Sequence, residues 1–169
     1  MSRMICAGML ATSLLIVNSV QASDPVVTGR VSGRELAQQT LDHPAFFVGA
    51  FSGQVGGRPA IGAWAVSVIH EVPLPSEVGQ SINIIGGQWV QEILVLQGFR
   101  LRRVMLSGNI SGTLTYVGSD RFLINATMNV ASGGSGDIVL NAILDHNVFP
   151  PAVAGTLRQP VIVPTVLSN

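Results

Sequence analysis

Hydrophobic and polar residues alternate along much of the chain, most clearly in its second half. In residues 109–117 and 121–130, most even positions are apolar, whereas most odd positions are Asn, Ser or Thr. Successive side chains on a β-strand point to opposite faces, so this two-residue period predicts strands with one buried face. Similar apolar rows run through two other segments: Trp64, Val66, Val68 and Val72, and Ile138, Leu140, Ala142 and Leu144.

Turn residues between these segments predict antiparallel neighbours. Gly86-Gly87, Gly118-Ser119-Asp120 and residues 132–136 are typical of hairpin turns. We therefore predict an all-β fold, a single antiparallel β-barrel or β-sandwich of about 8–9 strands, occupying residues 46–158. The strands are expected near residues 46–55, 60–72, 80–85, 88–97, 99–107, 109–117, 121–131, 137–146 and 152–158.

The segments flanking this domain are expected to be simpler. In residues 23–45, the spacing of Ser32 and Glu35 matches a capping box and predicts one short N-terminal helix, which Pro44 would end. Residues 159–169 are apolar but contain two prolines, which predicts an extended C-terminal tail.

The first 22 residues have the layout of a secretory signal peptide. Arg3 precedes an apolar stretch over residues 4–17, and Ala22 completes a small-residue ending. Cleavage after Ala22 would make the protein secreted or periplasmic and would remove Cys6, the only cysteine. The apolar stretch is shorter than the roughly 20 residues that span a bilayer, and we expect no transmembrane helix in the mature chain.

Composition and motifs exclude several functions. The mature chain would carry eight arginines, no lysine and nine carboxylates, a balance that predicts no nucleic-acid binding. Cysteine and lysine nucleophiles are absent from it, and no Gly-x-Ser-x-Gly elbow occurs. The glycines at 133, 134 and 136 are followed by another predicted strand, whereas a phosphate loop leads into a helix. The sequence thus favours a non-catalytic protein and predicts no cofactor.

Two histidines are candidate ligand-binding residues. His70 extends the apolar row of Trp64, and His146 extends the row of Ile138, so both are expected at strand ends on the apolar side. They could converge at the mouth of a barrel and line a ligand or metal pocket, or each could simply bond to backbone or water. Their acidic neighbours Glu71 and Asp145 would point to the opposite face.

Arg100 and Arg102 are the other candidate binding residues, because they share one strand face within the only basic cluster. They could contact an anionic envelope polymer, or they could be solvated charges that discourage edge pairing.

These features leave three functions open. The leading interpretation is a secreted, non-catalytic β domain with a binding role or a structural role in an envelope or extracellular assembly. The alternative is a closed β-barrel that binds, or isomerises, a small hydrophobic ligand, since an eight-strand barrel can hold one small molecule. An outer-membrane barrel is a third possibility, which the missing aromatic girdles and the many outward Asn and Thr residues disfavour.

Overall fold

The alternating segments form eight β-strands in the computed structural model, which describes residues 27–133 and 136–159. The strands follow one another around a closed barrel in chain order, and each pairs antiparallel with its neighbours. Their bounds are β1 (Val27–Ala37), β2 (Ala45–Val55), β3 (Arg58–His70), β4 (Ser81–Gln97), β5 (Arg100–Gly118), β6 (Arg121–Ser132), β7 (Asp137–Asp145) and β8 (Ala152–Arg158).

Pairing between the first and last strands closes the barrel. Thr28 to Arg34 of β1 pair with Ala152 to Arg158 of β8. Every strand therefore has a hydrogen-bonded partner on both sides, which removes the open edges that would otherwise invite association. Of the two predicted architectures, the barrel is the one observed, and the predicted all-β class is confirmed.

The predicted short helix is not formed, because Ser32 to Ala37 belong to β1 and residues 38–44 connect β1 to β2 without a helix. Ser32 is exposed on the outer face of β1 and Glu35 is buried on the inner face, so the two residues do not form a capping pair. The barrel thus begins at Val27, ahead of the predicted domain boundary at residue 46. The predicted signal peptide, residues 1–22, and the tail from residue 160 onward lie outside the described residues.

Two pairs of strands that were predicted as separate each form one continuous strand. Gly86-Gly87 does not form a hairpin but lies inside β4, where the pairing with β5 shifts between Ile84 and Gln88. A backbone bulge of this kind bends a strand without ending it. The segments predicted at 99–107 and 109–117 likewise form the single strand β5.

Apolar side chains line the barrel interior, and the outer face of β6 is polar. Along β6, Phe122, Ile124, Ala126 and Met128 are buried, while Asn125, Thr127 and Asn129 are exposed. Along this strand the arrangement is the reverse of that in outer-membrane barrels, whose lumen is polar and whose outer face is apolar. No helix among the described residues is long and apolar enough to cross a membrane.

The two ends of the barrel differ in packing. We call the mouth the end formed by the β1–β2, β3–β4, β5–β6 and β7–β8 connections, and the base the opposite end, where β1 begins and β8 finishes. The large side chains that are most completely buried are Ile93, Ile138, Leu157 and Gln91. Ile93 and Ile138 lie towards the base, and the Gln91 amide makes no hydrogen bond within the described residues.

Glycines on the inner face allow aromatic rings to lie flat against the barrel wall. The indole of Trp64 on β3 lies across Gly49 on β2 and Gly33 on β1, and its N–H donates to the carbonyl of Ala50 at 3.0 Å. Trp89 on β4 pairs with Gly108 on β5, and its indole N–H donates to the Asn129 carbonyl of β6 at 3.2 Å. The two indoles thus extend along the wall of the barrel.

Substituting Gly49 with Ala should destabilise the barrel by about 1–3 kcal/mol, the usual cost of overpacking. A Cβ at Gly49 would overlap the Ser32 carbonyl oxygen and press on the Trp64 indole at 2.6 Å. Gly86→Ala is the matched control, because a Cβ there meets nothing within 4 Å. Chemical denaturation measures both variants, and equal unfolding free energies would contradict this packing.

Candidate functional site

The mouth half of the barrel contains a cavity of about 340 Å³. All eight strands contribute to its lining, which is dominated by aliphatic and aromatic side chains such as Val68, Leu114, Met128 and Leu144. Both tryptophans of the chain also line it. Pockets for small molecules usually measure about 300–1,000 Å³ and are mostly apolar with a few polar groups, so this cavity has the size and chemistry of a small-ligand site.

A carboxyl group and an imidazole face each other at the mouth of this cavity. Glu35 ends the inner row of β1, and His146 follows the last residue of β7. The distance from Glu35 Oε2 to His146 Nε2 is 3.7 Å. Both atoms are buried and have no hydrogen-bond partner within the described residues. Two buried polar atoms without partners are costly for folding, and a bound group that pairs with both of them would remove this cost.

Burial governs the protonation of Glu35. Its side chain is only 6% exposed, and loss of solvation raises the pKa of the carboxyl above its ordinary value of 4.5. The other imidazole nitrogen of His146, Nδ1, lies 3.9 Å from Asp120 Oδ1, and the Phe122 ring packs beside the imidazole with centroids 5.2 Å apart. His146 therefore stands between a buried carboxyl and an exposed one.

The β5–β6 turn holds His146 in this position. The His146 backbone N–H donates to the Asp120 carbonyl at 3.1 Å, and both residues of the turn, Ser119 and Asp120, have a positive φ of 50°. The neighbouring Asp145 does not join the site, as the sequence predicts. Hydrogen bonds from Asn147 lower the pKa of its carboxyl, with smaller effects from the charges of Arg121 and His146.

His70 lies on the rim of the same cavity, at the end of β3. Gln39 anchors it: the amide oxygen accepts from the His70 backbone N–H at 2.7 Å, and the amide nitrogen donates to the His70 carbonyl at 2.9 Å. The His70 ring lies 2.8 Å from the Glu71 carbonyl oxygen through Nδ1. The side chain of Glu71 turns away and accepts from Asn83, which lowers the pKa of its carboxyl.

The structure thus brings two of the four predicted site residues to one cavity. His70 and His146 both line the mouth, while Arg100 and Arg102 lie at the base, on the β4–β5 hairpin. No cluster of three His, Cys, Asp or Glu side chains within the described ranges could hold a metal ion.

Glu35 is the site residue that the sequence analysis missed. Its interpretation as part of a helix cap hid the period-two row in which it stands. The inner row of β1 has small or apolar residues at every second position before Glu35, and this alternation could have indicated that Glu35 points into the barrel. The row is Val27, Gly29, Val31, Gly33 and Glu35.

Comparison of the chain with protein-family models, curated proteins and solved structures finds no match.

Replacing Glu35 with Gln should change how stability depends on pH. Because the folded state raises the pKa of Glu35, the carboxyl destabilises the fold once it ionises, and wild-type stability should fall relative to Glu35→Gln as the pH rises from 4.5 towards neutrality. Thermal unfolding across this range measures the difference.

In a His146→Leu background, the loss of stability with rising pH should be larger, because the ionised Glu35 carboxylate then has no imidazole beside it. A difference between wild type and Glu35→Gln that stays constant with pH would show that Glu35 is not desolvated in the folded protein.

Proposed function

We propose that the protein is an exported, non-catalytic binding protein whose barrel holds one small, neutral, mostly apolar molecule bearing a hydroxyl group. The 340 Å³ apolar cavity at the mouth carries this proposal. Among the functions predicted from the sequence, the hydrophobic-ligand barrel is the one this geometry favours.

Cavity size and lining support an apolar ligand. The volume is at the lower end of the usual range for ligand pockets, which favours a compact molecule over a long-chain lipid. Burial of apolar surface contributes about 25 cal/mol per Å², so close contact with the aliphatic and indole walls would supply most of the binding energy.

Charge at the mouth disfavours an anionic ligand. Among the described residues, six carboxylates and two arginines lie at this end of the barrel, which is a net charge of −4 with all carboxylates ionised. A fatty acid would bring a further negative charge to this opening. The charged residues at the mouth are Arg34 and Arg121, against Glu35, Asp42, Glu71, Glu77, Asp120 and Asp145.

The Glu35–His146 pair favours a hydroxyl group. A hydroxyl can both donate and accept, so one oxygen atom placed between Oε2 and Nε2 could satisfy both unpaired atoms. When Glu35 is ionised and Nε2 of His146 carries a hydrogen, a carbonyl group could accept from His146 but could offer no hydrogen to Glu35, so it would satisfy only one of the two atoms. A hydrogen bond to a buried, unpaired atom contributes more to the binding free energy than the same bond at an exposed site. The reason is that water pairs with the exposed atom in the free protein, whereas the buried atom has no partner.

Filling the cavity should weaken ligand binding. Val68→Phe enlarges an inward side chain that lines the cavity, and we expect at least about tenfold weaker affinity for octan-1-ol, a loss of about 1.4 kcal/mol. Ile69→Phe is the matched control, since residue 69 is the next along β3 and is exposed on the outer face. Because both tryptophans line the cavity, intrinsic fluorescence reports binding. Equal affinities for the two variants would contradict an interior site.

Removing the polar pair should abolish selection for the hydroxyl. The wild-type protein should bind octan-1-ol about tenfold more tightly than octane or octanoate, consistent with one or two recovered hydrogen bonds and with the negative mouth. The double variant Glu35→Met with His146→Leu should bind the alcohol and the alkane equally. Isothermal titration with each compound measures these affinities, and an unchanged preference in the double variant would exclude the pair as the ligand's polar partner.

A further inference from the structure

The tip of the β4–β5 hairpin carries exposed side chains of two kinds. β4 and β5 are the longest strands, with 17 and 19 residues, and every residue from 96 to 103 is exposed. This segment includes three arginines and three large apolar residues. Phe99, in the turn itself, is fully exposed.

Strand pairing separates these side chains into two faces. Arg102 pairs with Val95, a buried residue of the inner row, so Arg100 and Arg102 continue that row beyond the barrel wall. Leu96 pairs with Leu101, and both lie on the opposite, outer face. The tip is therefore an amphipathic ribbon, with cations on one side, leucines on the other and an aromatic ring at its end.

The arginines of the inner-row face are available for another partner. Arg103 forms a two-point ion pair with Glu92, with Nε–Oε1 at 2.7 Å and a second bond at 3.0 Å. Arg100 and Arg102 have no ion-pair partner among the described residues. Their charge adds to that of the whole base.

The base is as cationic as the mouth is anionic. Six arginines and two carboxylates lie in this half of the described barrel, a net charge of +4. An anionic surface would therefore attract the molecule with the base first and the mouth facing away. The residues are Arg30, Arg58, Arg100, Arg102, Arg103 and Arg158, against Glu92 and Asp137.

We propose that the β4–β5 tip is a docking surface for a bilayer that contains anionic phospholipid. Phe99, Leu96 and Leu101 enter the boundary between headgroups and acyl chains, while Arg100 and Arg102 contact the phosphates. Aromatic side chains favour this boundary, and each arginine near an anionic membrane strengthens binding by about fivefold. The partner thus has to offer negative charge and an apolar layer together.

A bilayer fits these observations better than an anionic polysaccharide does. A polysaccharide would engage the arginines but would leave Phe99 and the paired leucines in water. Docking of the tip needs nothing from the cavity, so this inference is independent of the ligand proposed above and can fail or succeed separately.

Sedimentation with vesicles tests the docking surface. The full chain should bind vesicles of phosphatidylglycerol and phosphatidylcholine but bind pure phosphatidylcholine far less. The double variant Arg100→Gln with Arg102→Gln should bind the anionic vesicles about 30-fold more weakly, which is the loss of two arginine contacts. Arg34→Gln with Arg121→Gln, the same charge change at the mouth, should bind like wild type. The segment before Val27 is common to all variants, so their differences report the hairpin.

The aromatic contribution has its own matched pair. Phe99→Ser should bind anionic vesicles at least about fivefold more weakly, because burial of the ring at the membrane interface is lost. Phe149→Ser, which removes an equally exposed ring at the mouth, should bind like wild type. Circular dichroism checks that each variant is folded. Equal binding by the two arginine variants would overturn the proposal. A second pair of results would also overturn it. In that case Arg100→Gln with Arg102→Gln would weaken binding to a soluble anionic polysaccharide, and Phe99→Ser would leave vesicle binding unchanged.

Discussion

The width of a closed eight-strand barrel limits how much space its interior has for side chains and for a ligand. Such a barrel is just wide enough for its side chains to fill it, or to leave room for one small molecule. In this protein both arrangements occur, one in each half of the barrel. Bulky aliphatic side chains such as Ile93 and Ile138 occupy the base half, whereas the cavity lies in the mouth half.

Glycine placement accounts for much of this difference. An indole that projected across the barrel would fill it, but Trp64 lies across Gly33 and Gly49 and is tied to the wall by its N–H group. Trp89 is tied in the same way beyond Gly108. The inner wall is thus smooth and aromatic, and the polar atoms that face the cavity are concentrated at its rim, where Glu35 and His146 meet.

The barrel is also electrically polar along its axis. The carboxylates gather at the mouth and the arginines at the base, so the two proposed partners, a neutral apolar molecule and an anionic surface, are assigned to opposite ends. The total charge of the chain is nearly balanced and does not indicate this separation. The separation follows only from the order and direction of the strands.

Alternation of apolar and polar residues was sufficient to predict most of the strands, the antiparallel pairing and the inward direction of His70 and His146. It could not distinguish barrel from sandwich, since that depends on the pairing of β1 with β8, which are far apart in the sequence. The end of β1 was mistaken for a helix because Ser32 and Glu35 have the spacing of a capping box. The Glu35–His146 contact joins the end of β1 to the end of β7, and no local pattern reports a contact of that kind.

The most direct test of the central claim is an NMR measurement of where a neutral alcohol contacts the protein. With octan-1-ol bound, the interior site predicts nuclear Overhauser effects from the alkyl protons to the Trp64 indole and to the side chains of Met128 and Leu144, which line the cavity but not the outer groove. A shallow groove also crosses the outer face of the barrel from β2 to β6, and its lining includes Phe46 and Ser107. Effects confined to these two residues would contradict an interior binding site.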